Sequence, residues 1–201
     1  MPQYPRATTT SGISPISLAN NATIDAFNRL RVSDPHTLFD SKQLYDNQPL
    51  FWDEDTSGVG AGIVYDVDKS ESVLTVGTVD AEYAIRQSKR YINYQPGHSQ
   101  LVLITGNIQG GKENVTKRIG FFDDQNGIFF ETNGTDFYVT KRTYTTGAAI
   151  DTQVIQADWN IDSFNGRGSS RTVLDLSKTQ IFVIDYEWLG VGRVRLGFVI
   201  R

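Results

Sequence analysis

A glycine-rich segment followed by lysine is the part of the sequence whose spacing best fits a nucleotide site. GNIQGGKE at 106–113 fits G-x-x-x-x-G-K, in which backbone N–H groups surround phosphates and the lysine contacts them. However, Glu113 stands where a Ser or Thr hydroxyl would bind magnesium, and its carboxylate would repel phosphate. The next residues, ENVTKRIGFF, include β-branched side chains and do not predict the helix whose N-terminus would face the anion. We therefore predict a glycine-rich hairpin between strands and no bound nucleotide.

The acidic segment DEDTSG at 53–58 has the spacing of the start of a calcium loop. Asp53, Asp55 and Ser57 stand at alternate positions, as the first three ligands of such a loop do. The twelfth position is Val64, where a glutamate should bind through both oxygens, and no helical pattern flanks the segment. We interpret the segment as a solvated acidic turn.

The residues that usually perform covalent or metal chemistry are scarce. Cysteine is absent, which excludes disulfides, thiolate nucleophiles and Cys-bound zinc, and the two histidines, His36 and His98, lie far apart in sequence. Asp123, Asp124 and Glu131 group near predicted hairpins, where an aspartate normally accepts hydrogen bonds from its own backbone. We predict no enzyme, no catalytic residue, no metal site and no cofactor.

The elements that would position these residues are almost all strands. Asn-Gly pairs at 126–127 and 133–134 separate apolar runs, and Asn-Gly is a strong hairpin signal. The run from 120 to 144 is thus a three-stranded antiparallel meander with turns at those pairs. Strands are predicted at Ile63–Val67, Val73–Val76, part of Tyr83–Tyr94, Leu101–Thr105, Arg118–Phe122, Gly127–Glu131, Asp136–Tyr144, Thr152–Gln156, Gln180–Glu187 and Gly192–Ile200. Such regular spacing favours an antiparallel sandwich or barrel.

Length and composition fit one all-β domain. The chain has 201 residues, of which 39% are hydrophobic and 11% aromatic, enough for a core. Nineteen basic and 23 acidic residues give a net charge of -4, so we expect no nucleic acid as partner. We also expect no membrane association, because no apolar run approaches the roughly 20 residues of a membrane span. The beginning of the sequence has no apolar stretch, which predicts no secretory signal and synthesis in a cytoplasm.

Four stretches resemble a family of tailed-bacteriophage virion proteins found near the head and tail genes. They are DAFNRLRVSDPHTLFDSKQLYDNQPLFWDE (25–54), RQSKRYINYQPGHSQLVLITG (86–106), RIGFFDDQNGIFFE (118–131) and IFVIDYEWLGVGRVRLGFVI (181–200). The sequence departs from the family at Asn28, where glycine is frequent. The resemblance implies a β-sandwich structural component, similar to concanavalin-like jelly rolls, and no catalytic residues. Similar proteins are expected to continue beyond the last strand, so either the sequence is part of a longer one or another chain supplies strands.

An extended N-terminal arm is predicted at residues 1–52, followed by the sandwich at 53–201. The first 20 residues are polar, and the next 30 carry apolar residues with no lasting period. Leaving these side chains in water is costly, so we expect them to wrap their own sandwich or to bind a neighbouring subunit, and the virion resemblance favours the neighbour. The candidate interaction residues are Phe27, Arg29, Leu30, Arg31, Phe39, Phe51 and Trp52.

The function expected from these observations is that of a virion component of the tail, the fibre attachment or the capsid surface, made in the host cytoplasm. Its expected partners are other virion proteins and further copies of itself, with a trimer favoured if it belongs to a fibre. The alternative function is a carbohydrate-binding module of a phage fibre that recognises a host surface glycan. In that case Trp52 and Trp159 would provide exposed stacking surfaces, although packing in a core or interface is the favoured role for both.

Overall fold

The computed structural model describes residues 36–93, 95–187 and 192–200, and within these ranges the chain is all-β with antiparallel pairing throughout. The strands are β1 (Trp52–Ser57), β2 (Gly62–Asp66), β3 (Glu71–Thr75), β4 (Tyr83–Ser88), β5 (Gln100–Gly106), β6 (Lys112–Phe122), β7 (Gly127–Gly134), β8 (Asp136–Thr143), β9 (Ile150–Ile155), β10 (Gln180–Tyr186) and β11 (Val194–Phe198). The predicted all-β class is confirmed. In the described ranges, no helix is long and apolar enough to cross a membrane.

Strands β1 to β4 form two small sheets, in which β1 pairs with β4 and β2 pairs with β3. The predicted acidic turn at 53–58 is wrong, because most of that segment is strand β1. Two of its acidic side chains form ion pairs with basic residues of β4 and of the position after it. Glu54 lies opposite Arg86 and forms an ion pair with it, and Asp53 lies 3.4 Å from Lys89. Cross-strand pairs of opposite charge stabilise antiparallel strands, so an acidic segment can form a strand when basic residues lie on its partner.

Glu82 connects the loops of these two sheets. Its carboxylate accepts hydrogen bonds from the backbone N–H of Gly60, before β2, and of Gly77, after β3, both at 2.9 Å. A side chain on either glycine would collide with the carboxylate, so the close approach requires glycine at both positions.

Strands β5 to β11 form a four-stranded and a three-stranded sheet. The first has the order β6-β7-β8-β9, and the second has the order β11-β10-β5. The predicted meander is present, but its turns are displaced. Asn133 pairs with Asp136, so the two loop residues are Gly134 and Thr135, and Gly134 has φ +59°. A glycine with positive φ at the first loop position suits a tight hairpin turn. The other loop is 123–126, closed by Phe122 opposite Gly127.

The core lies between the inner faces of these two sheets. Phe130 of β7 contacts Phe182 of β10 and Phe198 of β11, with ring centroids 5.1 Å apart in both pairs. Phe137 and Ile184 complete the buried centre. Trp159 and three other apolar residues of the connection from β9 to β10 cover one side of it, namely Phe164, Leu174 and Leu176. Two antiparallel sheets that bury one common core have the arrangement of a β-sandwich.

Candidate interaction surfaces

Three of the seven predicted interaction residues can be located in the structure. Phe27, Arg29, Leu30 and Arg31 lie outside the described residues. Phe39, Phe51 and Trp52 come together in one aromatic group, in which Phe39 meets Trp52 edge to face at 5.5 Å and Phe51 at 6.2 Å.

Hydrogen bonds fasten the segment 36–51 to strands β1 to β4 of its own chain. The Trp52 indole N–H donates to Ser41 Oγ at 2.7 Å, and the Arg86 guanidinium lies 4.7 Å from the centre of the Trp52 ring. Arg86 also donates to the backbone oxygen of Asn47 at 2.6 Å. Tyr65 of β2 donates to the backbone oxygen of Gln43 at 2.8 Å. The described part of the predicted arm is thus in contact with its own sheets.

A surface groove lies beside this aromatic group. Its volume is about 560 Å³, and it is lined by Thr37, Leu38, Phe39, Asp40, Leu50, Phe51, Lys89 and Arg90. Arg90 donates to the Leu38 carbonyl, and Lys89 N–H donates to the Phe51 carbonyl at 2.8 Å, so both walls are held by the backbone. Leu50 is largely exposed at its rim. The groove combines apolar and cationic side chains and is open to solvent.

The two described tryptophans differ in their surroundings. Trp159 is partly buried and packs against the core residues Phe130, Phe137 and Phe198, with ring centroids 6.5, 5.5 and 6.3 Å away. Trp52 is half-buried beneath Arg86. A sugar-stacking surface of the kind considered for these two residues requires an exposed ring face, and both rings are partly buried.

The segment 106–113, whose spacing resembles that of a phosphate-binding loop, presents hydrogen-bond acceptors, which do not suit an anion. It connects β5 to β6, which belong to different sheets, so the predicted hairpin is wrong because β5 pairs with β10 and β6 pairs with β7. The carbonyl oxygens of Ile108 and Gly110 accept hydrogen bonds from Lys117 Nζ at 2.8 and 2.9 Å. Burial, together with nearby Lys112, lowers the pKa of Lys117. This turn therefore presents acceptors to an amine rather than donors to a phosphate.

The outer face of the four-stranded sheet is covered by its own side chains, and we call it the closed face. At its centre Phe129 is 0% exposed, although it points away from the core. The guanidinium groups of Arg118 and Arg142 lie 5.6 and 5.4 Å from its ring centre, and the Phe122 ring lies 4.4 Å away. Arginine stems and a neighbouring aromatic ring therefore remove this side chain from water.

A buried carboxylate completes the closed face. Glu131 is 2% exposed, accepts hydrogen bonds from Thr140 Oγ1 at 3.2 Å and Gln153 Nε2 at 3.3 Å, and lies 3.5 Å from Arg118 Nε. Arg142 donates two hydrogen bonds of 2.8 Å to Asp151. These hydrogen bonds hold the pKa of Asp151 below its usual value. The sequence pattern places Glu131 near a turn and does not indicate this network, because the members of the network meet only through strand register.

The outer face of the three-stranded sheet is mostly apolar and uncovered, and we call it the open face. It is formed by Leu101, Leu103 and Thr105 of β5, by Ile181, Val183 and Asp185 of β10, by Arg195 and Gly197 of β11, and by Val199, which follows β11. Leu103 is 59% exposed and Val199 is 53% exposed. Asp185 forms an ion pair with Arg195 at one end, and Asp185 is buried. The unbroken apolar runs LVLI and IFVI are the sequence feature that indicates this face, because a strand that is apolar on both sides needs cover on both sides.

In the described ranges, no group of three or more His, Cys, Asp or Glu side chains is placed to hold a metal ion. Comparison of the chain with family models, with curated proteins and with solved structures gives no match.

Proposed function

We propose that this protein is a non-enzymatic structural component of a tailed-phage virion and that it acts by packing against other subunits. The open face is the observation that supports the proposal best. Four of its apolar side chains, Leu101, Leu103, Ile181 and Val199, are at least a third exposed. Full burial of such a side chain is worth about 1.5–3 kcal/mol, so a partner that covers all four gains a substantial part of a binding energy. The resemblance of four sequence stretches to virion proteins supplies the biological setting.

The proposal includes a finer description of the fold. The resemblance implies a concanavalin-like jelly roll, which divides eight strands between two sheets, whereas the described sandwich has three and four strands. A jelly roll therefore requires one further strand, which we propose another chain supplies along the edge of β11 or of β9 that pairs with no described strand. An experimental structure of the assembled particle tests this part, and an edge left without a strand from another chain contradicts it.

The proposal also includes docking of the N-terminal arm on a neighbouring subunit. Because the segment 36–51 is hydrogen-bonded to β1 and β2, deletion of residues 1–52 would disturb the fold together with the arm. Deletion of residues 1–35 is the cleaner experiment. We expect the shortened protein to keep its circular dichroism spectrum and to enter particles less efficiently, and normal incorporation would contradict the role of the arm.

The main test is incorporation into particles. Mass spectrometry of gradient-purified virions of the phage that encodes the chain should detect it in fixed stoichiometry. The doubly substituted Leu101→Lys, Leu103→Lys protein should be lost from the particles, because two ammonium groups would be buried at the interface. Val64→Lys, at a residue 66% exposed on β2, is the matched control and should be incorporated normally. Virions that never contain the chain would refute the proposal.

A further inference from the structure

The open face is a regular three-by-three grid, because residues that pair across antiparallel strands point to the same side. The rows are Leu101, Asp185 and Arg195, then Leu103, Val183 and Gly197, then Thr105, Ile181 and Val199. Each row thus runs from β5 through the middle strand β10 to β11.

The two edges of this grid differ in shape, because a side chain protrudes at one edge and a side chain is missing at the other. On β5, Leu103 projects into solvent. On β11, Gly197 has no side chain, and no atom of the residues that the structure describes lies within 4 Å of the place where a Cβ would stand. The middle row therefore has a protrusion at one edge and a depression at the other, with Val183 halfway between them.

We propose that the open face binds the open face of a second copy of this chain, around a two-fold axis that runs parallel to β10 and passes over Val183. The inference rests on the proposed function and deepens it by naming the partner of that face. Rotation by 180° about such an axis places β5 of one copy over β11 of the other and keeps each residue in its row. Leu103 of each copy then enters the depression at Gly197 of its partner, so the contact is made twice.

The packing geometry and the charge of the face agree with a second copy. Two sheets related by this axis keep their strands nearly aligned, which is the usual arrangement of sheets that pack face to face. The charged residues of the grid are Asp185 and Arg195, and they form an ion pair with each other. The proposed axis brings Asp185 of the two copies opposite each other, and the ion pair of each with Arg195 of its own chain offsets their charge. The remaining residues of the grid are uncharged and meet without repulsion, although the whole chain carries a net charge of -4. The described grid carries no net charge that would attract a strongly charged partner.

The size of the face indicates how strongly two copies associate. Three strands spaced by about 4.8 Å, with five residues each at about 3.3 Å, cover roughly 14 by 17 Å. A standard interface buries about 800 Å² on each partner, so an isolated pair is weak. In a particle with many linked copies, the high effective concentration compensates for this weakness. The experiment therefore has to capture a short-lived pair.

Covalent capture through introduced cysteines is suited to this chain because it has no cysteine of its own. In Val183→Cys the two introduced thiols face each other across the proposed axis. Because sheets packed face to face lie about 10 Å apart, beyond the reach of a disulfide, a short bis-maleimide reagent should link the two thiols and yield a covalent dimer. Val64→Cys, on the exposed side of β2, is the control and should stay monomeric at the same concentration. We expect at least a tenfold faster dimer formation for Val183→Cys, undiminished in 1 M salt because the contact is apolar. Equal rates for the two variants would overturn the inference.

A second pair of variants tests the fit at Gly197. Adding Gly197→Leu to Val183→Cys fills the depression and should suppress capture, while the open space leaves the fold intact. Further addition of Leu103→Ala moves the protrusion from β5 to β11 and should restore capture. Failure of that restoration contradicts the two-fold arrangement.

The outcome is distinguishable from the fate of the proposed function. Chains that are absent from virions but form the Val183→Cys dimer refute the virion role and leave the copy-to-copy contact standing. Chains that are present in virions, where Val183→Cys links only to a different protein, refute the contact and leave the virion role.

Discussion

Both outer faces of the sandwich carry apolar side chains, which are buried on the closed face and exposed on the open face. On the closed face, Phe129 is fully buried by Phe122 and by the arginines at 118 and 142. On the open face, Leu103 is 59% exposed and its row ends in Gly197. The difference lies in the neighbours, because long amphipathic side chains can cover an apolar group and short ones cannot. A face that covers itself needs no partner, whereas an uncovered apolar face gains free energy from one.

Removal of the Phe129 ring should have the largest effect on stability. Phe129→Ala leaves a cavity between two arginines and Phe122 and should lower the free energy of unfolding by about 3–5 kcal/mol, as for a core phenylalanine. Leu103→Ala, the matched truncation on the open face, should cost less than about 1 kcal/mol. Urea unfolding of both proteins measures the contrast, and equal losses would show that the faces do not differ in the way described.

Loss of the buried carboxylate should have the next largest effect. Glu131→Ala leaves Thr140 and Gln153 without their acceptor and should destabilise the protein by about 1–3 kcal/mol. Glu131→Gln keeps the shape and an acceptor oxygen and should cost less. Asp124→Ala, at an exposed residue, is the control in the same urea experiment. If it lowers the free energy of unfolding as much as Glu131→Ala does, a specific network at Glu131 is contradicted.

A smaller effect should depend on pH. Because Arg142 holds the pKa of Asp151 below its usual value of 3.8, the contribution of Asp151 to stability is present above pH 3.8 and is lost as pH falls through the lowered pKa. Asp151→Asn should cost about 0.5–1 kcal/mol near neutral pH, and its difference from the parent should shrink near pH 3. Urea midpoints at the two pH values test this prediction. A stability difference between Asp151→Asn and the parent that grows as the pH falls would contradict it.

The smallest effect on stability is expected on the open face. Leu103→Lys should change the free energy of unfolding by less than about 0.5 kcal/mol, because the side chain makes little contact within its own chain. The same substitution should reduce binding of an apolar fluorescent dye to the folded protein. Clear destabilisation would mean that Leu103 is part of the fold rather than of an interface.

The sequence predicted the strands far better than their partners. Ten of the eleven described strands overlap segments that periodicity and turn residues indicated, because alternation and Asn-Gly pairs are local signals. The sequence does not indicate strand β1, because its acidic residues resemble a loop until Arg86 of β4 and Lys89, which follows β4, form ion pairs with them. The hairpin turns were displaced because a turn is fixed by the pairing of Asn133 with Asp136 as well as by residue preference.

The candidate surfaces were less accessible to prediction. Phe39, Phe51 and Trp52 were singled out together and do lie together, since they are close in sequence as well as apolar. The grid of the open face combines three strands whose mutual register no local pattern contains. The apolar runs at 101–104 and 181–184 signalled that both sides of these strands need cover, but not what covers them.

The contact of Glu82 with two glycine loops has a consequence for how the molecule opens. An isolated two-stranded sheet is marginally stable in water, and the chain has two of them side by side, β1 with β4 and β2 with β3. Since one carboxylate accepts from Gly60 and Gly77 together, neither loop can move away from the other unless one of these hydrogen bonds breaks. The four strands should therefore exchange their amide hydrogens as a single cooperative unit, and in Glu82→Ala they should separate into two units with different exchange rates.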